Sequence, residues 1–240
     1  MQFNAQQQAA HRNLSYLVAE KIAHRILSGE FAAESILPGE NDLCEIYNVS
    51  RTAIREAVKM LTAKGMLLAR PRIGTRVMPT SYWNFLDKDL LSWWITQDNF
   101  FEVTQHFVVL RRALEPQTAA LAAINANSDQ RYKLSILMAE MRSLHKNFDP
   151  DRWVNVDSEF HKLIYNASCN PLLTSFANLF SSVYQTYFRS VTNNEAILLE
   201  HHQAIVDAIL KKDSVEALRA TQELLEKDLK IYNALLQDNE

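Results

Sequence analysis

Glycine and cysteine are scarce in this chain, with four and two respectively among 240 residues. So few glycines leave helical segments almost uninterrupted, and no glycine-rich phosphate loop can be assembled from them. Cys44 and Cys169 stand far apart without metal-type spacing. A disulfide framework needs more cysteines and an oxidising compartment, so both are read as small core residues. Also missing are an uninterrupted apolar run of about 18 residues and a charged-then-apolar leader. No membrane span or secretion is expected, and the expected compartment is the cytoplasm. Neither a nucleophile elbow nor an H-E-x-x-H pattern occurs.

What is present is ordinary globular material, 48% hydrophobic and 22% charged, which argues against disorder and allows one large core or two modest ones. Charge is divided unevenly along it. Residues 1–80 hold ten Lys/Arg against seven Asp/Glu and the rest fifteen against twenty-one, so +3 and −6 make the net −3. The stretch N-V-S-R-T-A-I-R-E-A-V-K-M-L-T-A-K-G-M-L-L-A-R-P-R-I-G-T-R-V, residues 48–77, packs seven basic residues around one acid, Glu56. One end of the chain suits a polyanion and the other repels one.

Helical spacing accounts for the basic end. Leu14, Leu17, Ile22, Ile26 and Leu27 repeat as one helix face and stop at Ser28-Gly29. Leu-Pro-Gly opens a short second helix carrying Leu43, Ile46 and Val49. Ser50 is a good N-cap for a third, with Ile54, Val58 and Leu61 on its inner stripe and Gly65 at its end. Two short extended runs around a Pro/Gly-containing turn follow. Three helices and a two-stranded ribbon make a winged helix-turn-helix. In that plan the third helix enters the major groove N-terminus first, so Arg51, Thr52 and Arg55 are expected at base edges and flanking phosphates. Arg70, Arg72 and Arg76 flank the ribbon tip over the DNA backbone, and Gly74 allows a close approach there.

Residues 14–78 resemble the DNA-binding domain of the GntR family of bacterial regulators, through their I-x-S-G, L-P-x-E, V-S-R-x-x-I-R-E-A and G-T-x-V pieces. The resemblance implies DNA contacts from Arg51, Thr52 and Arg55, with Gly74 in the wing. Asn41 is a departure, because many relatives carry a basic or long polar residue after the Glu of L-P-x-E. It is kept as a DNA-contact candidate that affects which half-site is read.

Y-W-N-F-L-D-K-D-L-L-S-W-W, residues 82–94, reads as an amphipathic linker helix docking Trp83, Leu86, Leu90 and Trp94. From about Asn99 onward the pattern is an all-α helical bundle of about six amphipathic helices. Polar residues interrupt its apolar stripes: Arg111 beside Phe107, Leu114, Thr118 and Leu121; Asp157 and His161 beside Trp153, Phe160 and Ile164; His202, with His201 aside, beside Leu198, Ile205, Val206 and Ile209; Asp228 beyond Leu224 and Leu225. Burying unpaired charge costs several kcal/mol, so a shared polar cavity is the simplest common cause. Asp157, His161 and His202 are the carboxylate and imidazole donors a divalent cation prefers, with zinc the first expectation. Arg111 could hold a carboxylate in bidentate fashion beside it, or serve as the structural ion-pair partner of Asp228 or Glu115.

R-R-A-L-E-P (111–116), D-S-E-F-H (157–161), N-A-S-C-N-P-L-L (166–173) and H-H-Q-A-I-V-D-A-I (201–209) resemble the FCD effector domain of the FadR subfamily. Many members hold a metal by an Asp and three His, and the resemblance places the Asp and two His at Asp157, His161 and His202. The third falls near Leu224, which cannot ligate, so Asp228, one turn on, is carried as the substitute. Asn170, before Pro171, is by residue type an N-cap and is carried as an effector-site candidate. The linker resembles that of the sugar-acid-responsive members, the galactonate and hexuronate regulators.

The expected protein is therefore mainly α: a tail at 1–13, the winged domain at 14–79, a linker helix at 80–98 and an effector-binding and dimerisation domain at 99–240. Its expected function is a homodimeric, non-enzymatic repressor of sugar-acid catabolism genes. It grips a double-stranded DNA operator and is released by a small carboxylate effector such as an aldonate or uronate. The alternatives are a metal-dependent enzyme acting on a small carboxylate, using Glu115 or Glu159, and a DNA-binding protein with an inert dimerisation bundle.

Overall fold

The computed structural model describes residues 2–70, 72–96, 99–177 and 198–237, with side chains described over 14–70, 72–96, 99, 102–177 and 198–230. The chain forms two compact units, Met1–Trp94 and Ile95–Glu240.

The first unit contains α1 (Gln2–Leu27), α2 (Glu40–Tyr47), α3 (Arg51–Ala63), β1 (Leu67–Arg70), β2 (Gly74–Val77), a 3-10 turn (Thr80–Tyr82) and α4 (Lys88–Trp94). Helix α1 thus begins at Gln2, within the stretch read from sequence as a tail. Its buried face is Val18, Ala19, Ile22, Ala23 and Ile26, whereas Leu14 and Leu17 of the expected stripe are 41% and 45% exposed. The small Ala19 and Ala23 face inward and let α1 approach the other helices closely. Against it pack Leu43 of α2 and Ile54, Ala57 and Leu61 of α3. Full burial of each large aliphatic side chain contributes about 1.5–3 kcal/mol.

Local signals place the joints of this unit. Asn48 takes the left-handed conformation (φ 51°) between α2 and α3, and Ser50 Oγ accepts from the Ala53 N–H at 3.3 Å to cap α3. Past α3, Gly65 has φ +76°, and a Cβ there would lie 2.1 Å from the Tyr82 carbonyl oxygen, so only glycine fits. The ribbon is antiparallel, pairing Leu67 with Val77 and Arg70 with Gly74. Residues 34–37 lie along its other edge, bridging Ile36 to Arg76, with Leu37 N–H donating to Thr75 O at 2.8 Å. Gly74 (φ +108°) faces this added segment, since a Cβ would meet Ile36 Cγ2 at 2.9 Å. Its glycine is thus already required inside the fold. Pro71 in the ribbon turn lies outside the described residues.

Among the described residues the linker is α-helical over Lys88–Trp94, and the face it buries is Leu90, Leu91 and Trp93; Leu86 is 59% exposed. Asp87 sets this phase, because its carboxylate accepts the N–H groups of Asp89 and Leu90, both at 3.0 Å, and so starts the helix there. The same carboxylate takes Lys64 Nζ at 2.6 Å, Asp89 takes it at 2.8 Å, and the ammonium stands 5.2 Å from the Trp93 ring centroid. A buried lysine at the end of α3 therefore clamps α4.

The second unit contains α5 (Phe100–Asn125), α6 (Ser128–Lys146), α7 (Pro150–Ala167), α8 (described over 171–177), α9 (Leu199–Lys211) and α10 (Ser214–Gln237). Caps set these helices. Asn127 and Gln130 form a capping box on α6, and Asp149 caps α7 ahead of Pro150. The core gathers Leu134, Met138, Met141, Trp153, Phe160, Ile205, Ile209 and Leu224. Cys169, expected inside, is exposed with φ +56°, because it occupies the turn after α7 rather than its inner face; Cys44 is half-buried.

Burial opposes the charge on Lys64, and the hydrogen bonds to Asp87 and Asp89 outweigh it, raising its pKa. For Asp87 the bond to Lys64 and the backbone N–H groups outweigh burial and lower it. A lowered carboxyl gives stability above its unfolded pKa that is lost as pH falls through the folded value. A raised ammonium gives stability below its unfolded pKa that is lost as pH rises through the folded value. The clamp is therefore at full strength between about pH 4 and pH 10. Lys64→Met is expected to destabilise the first unit by about 1.5–3 kcal/mol at neutral pH, seen as a lower urea midpoint by tryptophan fluorescence. An unchanged midpoint would contradict the clamp.

Candidate functional site

Two groups of polar residues stand out, one per unit. In the first, Ala53, Ile54, Ala57 and Leu61 face inward at 0% exposure, which turns the opposite face of α3 to solvent. Arg51, Thr52 and Arg55 are exposed on its first two turns. Arg70, Arg72 and Arg76 are exposed along the ribbon, Arg72 with φ +67° at its tip, and Asn41 is exposed on the first turn of α2. Arg55 also bonds Glu40, an acid of the L-P-G-E stretch to which sequence reasoning assigned no role. Glu40 is one of seven acids in residues 1–80, so nothing in the sequence singled it out.

The second group is buried and connected across four helices. On α7, Asp157 is 1% and His161 4% exposed; His202 on α9 is 6% exposed and Arg111 on α5 2%. His201 is only half-buried, in line with the expected phase. His202 Nε2 lies 2.9 Å and His161 Nε2 3.9 Å from Asp157 Oδ1. The far side of each ring meets an obligatory acceptor. His202 Nδ1 stands 2.9 Å from the Leu198 carbonyl, and His161 Nδ1 stands 3.2 Å from Glu115 Oε2. A carbonyl or carboxylate on Nδ1 makes that nitrogen the proton carrier and turns both Nε2 atoms toward Asp157. Metal-binding histidines are oriented in this way.

These donors fit a divalent cation. One atom from each of Asp157, His161 and His202 comes within 4.8 Å of the others, and all three residues are buried. Two imidazoles and a carboxylate are a ligand set that zinc accepts with a coordination position left open. Asp228 is paired with Arg111, its Oδ2 accepting from Arg111 NH1 at 2.7 Å, while its charge still reaches Asp157 and the histidines. Among the described residues the ligand set holds only the other three. Leu224, at the position the resemblance gives to a third histidine, is 2% exposed in the apolar core.

Arg111 is engaged on two sides. Its Nε donates to Glu115 Oε1 at 2.7 Å and its NH1 to Asp228, so the ion-pair alternative raised from sequence is present with both suggested partners. Burial would push the Glu115 carboxyl up, but Arg111 and His161 outweigh it and hold it down to about 2. For Asp228 burial prevails over Arg111, helped by the charges of Asp157 and Glu115, and its pKa is raised. Burial disfavours charge on His202, yet the bond to Asp157 raises its pKa. Beside the network, Glu115, Thr118, His161, Tyr165, Ile205 and Thr221 help enclose a cavity of about 10 Å³, room for roughly one water. Sequence reasoning missed Tyr165 and Thr221, which carry no spacing signal of their own. Asn170 is committed as a cap, its Oδ1 accepting from Leu172 N at 3.0 Å and Leu173 N at 3.4 Å.

A winged helix-turn-helix with an exposed basic third helix, joined in one chain to an all-helical unit with a buried polar network, defines a DNA-binding transcriptional regulator. Residues 14–77 match the bacterial regulatory proteins of the gntR family and residues 106–227 match the FCD domain. The chain belongs to the GntR family, among the members that carry an FCD domain, and is a regulator and not an enzyme. It is 57% identical over 225 residues to the uncharacterised HTH-type transcriptional regulator YieP of Escherichia coli (strain K12), covering 94% of this chain and 98% of that one. It is 30% identical over 203 residues to the galactonate operon transcriptional repressor of the same organism, covering 83% and 88%. Among solved structures it resembles a GntR protein of Streptococcus agalactiae, with TM-score 0.50 and 27% identity over 88% of this chain and 97% of that one. Among the described residues no helix is long and apolar enough to cross a membrane.

Removing a buried guanidinium leaves its carboxylates in a medium that solvates them poorly. Arg111→Met is expected to destabilise the second unit by about 3–5 kcal/mol, and adding Glu115→Gln should recover part of that loss, both read by urea denaturation. A single variant as stable as the wild type would show that the pair contributes little.

Proposed function

We propose that this regulator is a repressor of sugar-acid catabolism genes, released from its operator by a small carboxylate, an aldonate or uronate, bound in the second unit. Two copies act together, each winged unit taking one half of a near-palindromic site. Arg51, Thr52 and Arg55 read base edges, Asn41 and Gly74 lie at the same interface, and Arg70 and Arg72 hold phosphates. What carries the ligand half of this reading is the orientation of His161 and His202, both rings steered by Nδ1 acceptors to present Nε2 beside Asp157. The name of the 30% identical galactonate repressor supports the ligand class.

A cation on Asp157, His161 and His202, zinc the first expectation, would supply a Lewis-acidic position for an oxygen of the ligand. Arg111 supplies the guanidinium for its carboxylate. Because Asp228 already occupies Arg111 NH1 and the adjoining cavity holds about one water, binding requires the Arg111–Asp228 pair to open. That required movement gives the ligand a differential affinity for two states, without which it could not alter DNA binding. The same closed packing also favours a second reading, a purely structural network in an inert dimerisation bundle. A thermal-shift screen of aldonates and uronates, with zinc and with chelator, separates them. Stabilisation and operator release that depend on metal support the sensor. No response under either condition supports the inert bundle.

Arg51→Ala and Arg55→Ala are each expected to weaken a selected operator duplex by about 1–3 kcal/mol and to lower discrimination against shuffled DNA. Arg72→Ala should weaken both duplexes alike and reduce the salt slope by about one unit, because a phosphate contact carries no sequence information. Equal loss of discrimination at all three positions would refute this division.

Zinc-loaded, dialysed protein is expected to retain about one ion per chain by elemental analysis. His161→Ala and His202→Ala should lose it and His201→Ala should keep it. Retention by the His202 variant would exclude the site.

A further inference from the structure

Glu40 and Arg55 form an ion pair whose side chains are 47% and 62% exposed. Exposed pairs of this kind contribute only about 0–1 kcal/mol to stability. The fold gains little from it, yet the pair sits on the face turned toward DNA, where a carboxylate works against affinity for a polyanion. Its geometry suggests another use. Arg55 Nε donates to Glu40 Oε1 at 3.1 Å and to Oε2 at 3.0 Å. Both contacts fall on one nitrogen, and among the described residues the two terminal nitrogens donate to none. The edge of the guanidinium that matches a planar two-acceptor partner is thus left outward, while the inner edge is held.

The backbone that carries Glu40 is fixed. Glu40 is the first residue of α2, where the helix dipole favours negative charge, and the Gly39 N–H bonds Asp42 Oδ2 at 3.1 Å to fix that first turn. Asn41 beside it is neutral, so among the described residues the charge of Glu40 is shared with no cation but Arg55. A guanidinium on a flexible stem would otherwise distribute itself over nearby phosphates, adding affinity for every sequence. Held at Nε, it loses that freedom and keeps the geometry in which two parallel N–H groups meet guanine O6 and N7.

We infer that Glu40 is a specificity-determining positioning residue of the DNA-binding unit, restraining Arg55 so that it reads a base instead of binding phosphate. The inference rests on the reading of α3 as the recognition helix. Glu40 lowers non-specific affinity and raises the ratio between right and wrong sequences.

The test uses the full-length chain, a duplex that it selects from random-sequence DNA, and a shuffled duplex of equal length. Affinities are measured over a salt series for the wild type, Glu40→Gln, Arg55→Ala and the double variant, with melting temperatures to confirm that each is folded. Glu40→Gln is expected to bind the shuffled duplex more tightly, with a salt slope steeper by about one unit, as one further phosphate contact requires. It should lower the selected-to-shuffled ratio by about tenfold. In the Arg55→Ala background the same change should leave the ratio where Arg55→Ala alone puts it. Equal tightening on both duplexes, or an equal loss of ratio with and without Arg55, would overturn the role of Glu40 while leaving Arg55 as a reader. If Arg55→Ala alone leaves the ratio unchanged, the recognition-helix assignment of Arg55 falls, and this inference falls with it.

Discussion

A guanidinium at 2% exposure can be tolerated only if acceptors replace the water it has lost, and Arg111 organises the second unit around that requirement. Glu115 satisfies it from one turn along α5 and Asp228 from α10. Glu115 then has a second oxygen to place, and it orients His161, which stands beside Asp157 and His202. The chain Arg111, Glu115, His161, Asp157, His202 joins α5, α7 and α9 by polar contacts inside an apolar core, and Asp228 ties in α10. His161 and Asp157 stand 3.9 Å apart at its centre, and the other links are close enough to orient their partners, so displacing one group alters what the others face. A site of this kind is suited to reporting occupancy, because a ligand taking Arg111 must exchange with a protein carboxylate.

The first unit handles charge by the same rule at two depths. Lys64 is buried, and two carboxylates hold it where α3 ends and α4 begins. The result is mechanical: α3 and α4 are tied at one point, with Trp93 beneath the ammonium. Arg55 is exposed, and one carboxylate holds it without neutralising much of the face around it, which still carries Arg51, Arg70, Arg72 and Arg76. Deep pairs settle how elements dock. The shallow pair bears on what the surface can bind, since water already satisfies most of its charge and the fold gains little from it.

Much of this was legible in the chain. The three-helix and ribbon plan followed from Ser50, Gly65 and the spacing of Ile54 and Leu61, each a local signal whose physics acts within a few residues. The inward phase of Asp157, His161 and His202, with His201 turned aside, followed from helical periodicity in the same way. Errors arose where a residue's surroundings come from another element. Leu14 and Leu17 share the apolar character of Ile22, but the buried face of α1 turned out to run through Ala19 and Ala23. Of the linker residues expected to dock, Leu90 is buried and Trp83 packs against the core, whereas Leu86 is exposed because Asp87, fixed by Lys64, starts the helix only after it. Cys169 was placed inside by residue type and lies outside by turn geometry.

The sequence by itself determined the family, the two-part architecture, and the inward phase of α3, α7 and α9, because periodicity, caps and turns are short-range properties. Only the tertiary structure decided who meets whom: that Asp228 serves Arg111, that Glu115 orients His161, that Gly74 is needed by Ile36, and that Glu40 holds Arg55. Those pairings join residues on different elements, with Arg111 and Asp228 lying 117 positions apart. Their geometry is set by helix packing, which depends on the whole core and on no local pattern.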